Sequence, residues 1–136
     1  MNTGYLLMNI SKKLKYDLNQ ALLEKGITVQ QWAVIQQVDL KEPVTATELV
    51  HILDMDKPTI SGIVQRLEKK ELLVKRDHPT DKRSFLLSLT EIGRSALEDY
   101  QQLSDHIVDN LLSILTEQEQ ASFNHLLSKI NQEMRD

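Results

Sequence analysis

Residues 56–90, DKPTISGIVQRLEKKELLVKRDHPTDKRSFLLSLT, decide how this chain folds. The first half has helical period. At 100° per residue, Ile60, Ile63, Val64 and Leu67 share one face and point inward. Asp56 is placed to cap the helix. Pro58 sits in its first turn, where a missing N–H costs nothing. The helix is expected to run to Lys70 or Glu71. The period then changes. Leu72 to Arg76 reads as a strand, and Ser84 to Leu89 alternates, with Phe85, Leu87 and Leu89 on one face. The polar stretch DHPTDKR between them predicts a hairpin with an exposed, charged tip.

The same reading extends in both directions. Thr45, with Glu48 three residues on, opens a short helix with the face Leu49, Ile52 and Leu53. Only Asp54 to Asp56 separate it from the helix that follows, so the pair predicts a helix-turn-helix. Toward the N-terminus, Leu7, Ile10, Leu14, Leu18, Ala21 and Leu22 form a helical stripe between Tyr5 and Leu23, closed by Gly26. Thr28 and Gln31 are a capping box for a second helix with the inner face Trp32, Ile35 and Val38. Toward the C-terminus, Thr90 caps a long helix carrying Ile92, Ala96, Leu97, Tyr100, Leu103, Ile107, Leu111 and Leu115. Thr116 with Glu119 opens a last helix bearing Phe123, Leu126, Leu127, Ile130 and Met134. The expected fold is mainly α with a small β-hairpin. A helix-turn-helix followed directly by a hairpin is a winged helix, here flanked by long terminal helices.

Composition narrows the function. The 136 residues include four Gly and three Pro, too few for an all-β fold with frequent turns. There is no cysteine, which removes disulfides, thiolate metal sites and cysteine nucleophiles. No apolar run reaches the roughly 20 residues of a membrane helix, and the N-terminus lacks the pattern of a signal peptide, so a cytoplasmic location is expected. His51, His78, His106 and His125 stand apart without metal-ligand spacing, and no metal or cofactor is expected. No phosphate loop, nucleophile elbow, HExxH or triad is present, so catalytic residues are expected to be none and the chain is not read as an enzyme.

The net charge is -4, but it is unevenly spread. Residues 56–83 hold eight basic and five acidic side chains, whereas the other 108 residues hold eight basic and fifteen acidic. A positive patch on an acidic body is the footprint of a surface for double-stranded DNA. On the second helix of the helix-turn-helix, Pro58, Gly62, Gln65 and Lys69 point outward, with Thr59, Ser61 and Arg66 on the flanks. Gly62 leaves room for close approach to base edges. Gln65 can pair with adenine, and Ser61 and Thr59 can reach bases or phosphates. Lys57, Lys69, Lys75, Lys82 and Arg83 supply positive charge toward phosphate. The rival reading is a winged-helix module that binds protein rather than DNA. Such a module has no need of Arg83 beside Lys82 at a wing tip or of Gly62 facing out.

The wing stretch 77–93, with Asp81-Lys82-Arg83-Ser84, then Leu89-Thr90 and Gly93, resembles the wing signature of the MarR family of bacterial transcriptional regulators. Residues 57–70 resemble that family's recognition helix. Length and element order extend the resemblance over nearly the whole chain. It implies a single domain, 1–136, with a DNA-binding lobe at about 28–90 and dimerisation helices at about 1–25 and 91–136. It implies a homodimer on a palindromic operator, with Arg83 in the minor groove and Asp81 orienting its guanidinium. It further implies a ligand-responsive repressor relieved by a small aromatic or phenolic effector. A space between the DNA-binding lobe and the dimer helices would be lined by Tyr16 and Trp32, which ordinary core packing would equally occupy. Position 71 is Glu where the family commonly has Gly. Glu71 must therefore adopt a left-handed conformation, or the helix must end differently.

Overall fold

The computed structural model describes residues 1–134, so the last two residues of the expected 91–136 segment lie outside it. The elements are α1 (Thr3–Glu24), α2 (Val29–Lys41), α3 (Ala46–Leu53), α4 (Lys57–Lys69), β1 (Leu73–Asp77), β2 (Phe85–Leu89), α5 (Glu91–Leu111) and α6 (Glu117–Met134). The order is that of a winged helix-turn-helix with long helices at either end.

Local chemistry sets most of the boundaries. Thr28 caps α2, with its side chain accepting from the Gln31 N–H while Gln31 Oε1 accepts from the Thr28 N–H. Asp56 caps α4 by accepting from the Thr59 N–H at 2.8 Å. Thr116 and Glu119 form the same reciprocal box ahead of α6. Two helices end in the same motif. After α1, the Ile27 N–H reaches the Leu22 carbonyl and the Gly26 N–H that of Leu23. After α4, the Leu72 N–H reaches Leu67 and the Glu71 N–H reaches Glu68. Each needs a left-handed residue next to the helix end. Gly26 takes φ 80° at little steric cost, and Glu71 takes φ 62°. The helix thus ends as it would with Gly, despite the side chain at position 71.

The core is centred on the winged lobe and also takes in Leu18 and Leu22 of α1 and Tyr100 of α5. Ile60, Ile63, Val64 and Leu67 of α4 are buried against Trp32, Val34, Ile35 and Val38 of α2, Leu49 of α3, and Leu73, Leu87 and Leu89 of the hairpin. The hairpin is antiparallel with Leu73 opposite Leu89 and Asp77 opposite Phe85. Val44 extends it by pairing with Leu87 through hydrogen bonds of 3.1 and 2.7 Å. Glu42, at the end of α2, accepts from the Leu89 N–H at 2.9 Å and from Arg94 of α5, which also reaches Asp39. One carboxylate thereby ties α2, the wing and α5 together. Gly93 lets α5 approach the hairpin. A Cβ there would meet the Leu72 carbonyl oxygen at 2.2 Å.

Several sequence expectations change. The first strand begins at Leu73 rather than Leu72, because Leu72 completes the helix-end motif. The second begins at Phe85, since Ser84 belongs to the tip turn. Phe85 is exposed although it shares a face with buried Leu87 and Leu89, because it lies beyond the edge of the core. Ile52 is exposed because Leu49, Val50 and Leu53 make the inward face of α3. Ile92 is exposed, as it precedes the turn of α5 that meets the lobe. Leu115 lies in the connection, not on α5. Leu112 ends that helix, and Gln120 Nε2 donates to the carbonyls of Leu112 and Leu115.

Candidate nucleic-acid interface

The recognition helix and the wing bound an open cleft of about 530 Å³. Lys57, Ser61 and Gln65 line it from α4, and Lys75, Asp81, Arg83, Ser84 and Phe85 line it from the hairpin. Lys57, Ser61 and Gln65 are four residues apart, so they form one row along α4 that faces the wing. Pro58, Arg66 and Lys69 are exposed on the adjacent outward surface with Gly62, where a Cβ would meet nothing within 4 Å. The expected residues therefore divide into a row looking into the cleft and a row looking straight out. Thr59 is half-buried at the helix start, its N–H held by Asp56.

The cleft has a third wall that the sequence reading did not assign. Thr45, Ala46 and Thr47, at the start of α3, also line it. Thr45 was legible as a cap, but not its neighbourhood. The signal was a second helix N-terminus, with its free N–H groups, next to the recognition helix.

The wing tip is a turn bonded to itself. His78 Nδ1 accepts from the backbone N–H groups of Thr80 and Asp81 at 3.2 and 3.1 Å. Asp81 Oδ1 accepts from the Arg83 N–H at 2.9 Å, and Oδ2 accepts from the Ser84 hydroxyl at 3.2 Å. The Arg83 N–H is the leading cause that holds the Asp81 carboxyl below its ordinary pKa, so the residue stays ionised. Arg83 Nε lies 3.7 Å from Asp81 Oδ1, and the Arg83 side chain is 94% exposed. Asp81 thus acts on the backbone of Arg83 first and on its guanidinium at longer range.

The basic residues are not equivalent. Among the described residues Lys57, Arg66, Lys69 and Lys82 have no carboxylate partner. Lys75 has one, Glu68 of α4, at 3.2 Å, and its ammonium also lies 5.1 Å from the centre of the Phe85 ring.

Tyr16 and Trp32 occupy different surroundings. Tyr16 is exposed on α1, beside a groove shared with Ile107, Asn110 and Leu111 of α5. Trp32 is buried in the core and does not line that groove. Its Nε1 finds no hydrogen-bond partner among the described residues.

A recognition helix, a wing and a basic cleft between them define a winged helix-turn-helix protein. A family model described as MarR family matches residues 25–84. The chain is 29% identical over 128 residues to the multiple antibiotic resistance protein MarR of Escherichia coli (strain K12), spanning 93% of this chain and 89% of that one. Its fold superposes on a probable transcriptional regulator from Pseudomonas aeruginosa with a TM-score of 0.76 and 30% identity, covering 94% of this chain and 96% of that chain. It superposes on MepR in the S. aureus MepR–DNA complex with a TM-score of 0.75 and 25% identity, covering 96% of each. The chain belongs to the MarR family of transcriptional regulators. None of these three relatives is named for catalysis. Among the described residues, no helix is long and apolar enough to cross a membrane.

Proposed function

We propose that the protein is a sequence-specific DNA-binding repressor that acts as a homodimer on a palindromic operator in the cytoplasm. The carrying observation is the cleft, in which residues of α4 and Arg83 of the wing face one open space. Residues 28–90 serve as the DNA-binding lobe. In this reading α4 enters the major groove. Gln65 and Ser61 meet base edges, Gly62 allows close approach, and Lys57, Thr59, Arg66 and Lys69 meet phosphates or flanking edges. Arg83 enters the adjacent minor groove with Lys82 at the backbone. The MepR–DNA complex supports this docking by analogy of fold.

The helices outside the lobe serve for pairing. None of the side chains of α6 is buried, and Leu126, Leu127, Ile130 and Met134 stand exposed together with Tyr5, Leu6, Leu7, Met8 and Ile10 of α1. A second copy covers such surfaces, and a two-fold dimer matches a palindromic site. A small aromatic or phenolic effector bound between lobe and dimer helices, near Tyr16 or Trp32, would bias the spacing of the two recognition helices.

Titration of duplex DNA at several salt concentrations tests the reading. Binding should weaken linearly on a log–log plot. Lys69→Ala should lower the magnitude of the slope by about 1. Binding that does not respond to salt contradicts the proposal.

A further inference from the structure

We propose that Glu68, Lys75 and Phe85 form a clamp that fixes the wing against the recognition helix, so that Lys75 is a positioning residue and not a phosphate ligand. Lys75 stands opposite Leu87 on the hairpin, and Phe85 is two residues further along the same strand. Lys75 and Phe85 are therefore diagonal neighbours on one face, the face that lines the cleft. From there the Lys75 ammonium reaches across to Glu68 on α4 at 3.2 Å, with the Phe85 ring 5.1 Å away. Both side chains of the ion pair are about one-third exposed. The exposed Phe85 acquires a purpose in this arrangement, since its ring shelters one side of the ammonium.

Two features distinguish this lysine from the others on the same surface. Its charge is already matched by a carboxylate, so bringing a phosphate to it would put two anions on one ammonium. Its partner also lies on a different element. The pair therefore joins the part that reads the major groove to the part that carries Arg83. The hairpin itself has only two strands, extended by the bridge at Val44. A cross-link at its base fixes the angle at which Arg83 is presented, and that angle must match the distance between adjacent grooves. The functional meaning of the clamp rests on the DNA-binding reading above.

The test uses the full chain and a duplex selected from a randomised pool for tight binding to the wild type. Glu68→Gln removes a negative charge from the DNA-facing side, so simple electrostatics predicts tighter binding. The clamp predicts binding weaker by about threefold to fivefold, the size of an exposed ion pair. Lys75→Ala should weaken binding without changing the salt slope, whereas loss of a phosphate contact lowers it by about 1. Lys75→Met and the double variant Glu68→Gln/Lys75→Met should bind alike, since the pair acts as a unit. Amide hydrogen exchange in β1 and β2 of the free protein should be faster in Glu68→Gln by about threefold to fivefold. Glu68→Gln binding as tightly as the wild type or tighter overturns the clamp, as does a slope in Lys75→Ala lower by about 1. If the selection yields no duplex, it is the DNA reading that fails, and the exchange measurement alone decides the clamp: an unchanged rate overturns it.

Discussion

The winged lobe and the terminal helices carry the same kind of apolar stripe and use it differently. In the lobe, Val34, Ile35 and Val38 of α2 and Ile60, Ile63 and Val64 of α4 are buried, with Ile35 and Ile60 wholly inaccessible. In α6, Leu126, Leu127 and Ile130 follow an equally regular helical spacing, yet all three are exposed in the single chain. Period alone thus says that a face exists. Whether the chain itself can cover the face depends on how many elements surround it. Two helices, α2 and α3, and the hairpin surround α4, whereas α6 leaves the body after a turn at Leu112–Leu115 and has no sealed position. The lobe reads as a finished object and the terminal helices as half of one.

The strongest way to break that contrast is Leu126→Asp. In a dimer the new carboxylate would be buried without a partner, at a cost of several kcal/mol per copy. Light scattering should show a dimer for the wild type and a monomer for the variant, with the lobe still folded. A wild-type monomer at micromolar concentration would show that the exposed stripe has another use. Ile35→Ala tests the other side of the contrast. It should destabilise the lobe by about 2–5 kcal/mol in chemical denaturation, because the site is closed on all sides. A loss under about 1 kcal/mol would mean that the lobe packs more loosely than its burial indicates.

Smaller effects sharpen the account of how the lobe joins α5. Burial pushes the Glu42 carboxyl up, but the Leu89 N–H and the Arg94 guanidinium outweigh it and leave the pKa below the ordinary 4.5. A lowered carboxylate pKa contributes stability that is present above the unfolded value and lost as pH falls through the folded one. Glu42→Gln should therefore lower Tm at neutral pH, and the difference from wild type should shrink as pH drops below 4.5. A difference that does not vary with pH would assign the effect to packing. The smallest expected change is a gain. Glu71→Gly should stabilise the chain by about 1 kcal/mol, because a left-handed residue with a side chain gives way to one that adopts this region freely.

Position 71 also marks where sequence stops being informative. Spacing identified the inward face of α4, and cap chemistry identified the starts of α2, α3, α4, α5 and α6, because both depend on residues within one or two turns. Whether Glu71 would turn left-handed was undecided, since the answer depends on the hairpin pulling Leu72 into the core. Contacts between elements were invisible for the same reason. Glu42 with Leu89, Val44 with Leu87, and Glu68 with Lys75 each join elements whose relative placement no local pattern encodes. The exposed residues of α4 were legible from angle. The α3 wall of the cleft was not, because Thr45 to Thr47 approach the wing only after the helices have packed.

The central claim is that the lobe presents Arg83 to DNA through a wing tip built by Asp81. It is tested most directly by titrating wild type, Arg83→Ala and Asp81→Ala against one selected duplex at fixed salt, with the fold checked by circular dichroism. Arg83→Ala should cost about 1–3 kcal/mol of binding. Asp81→Ala should also weaken binding, although it removes a negative charge from the DNA face, because Asp81 accepts from the Arg83 N–H and the Ser84 hydroxyl and so shapes the turn. Wild-type affinity in Arg83→Ala, or tighter binding in Asp81→Ala with the fold intact, would contradict the claim.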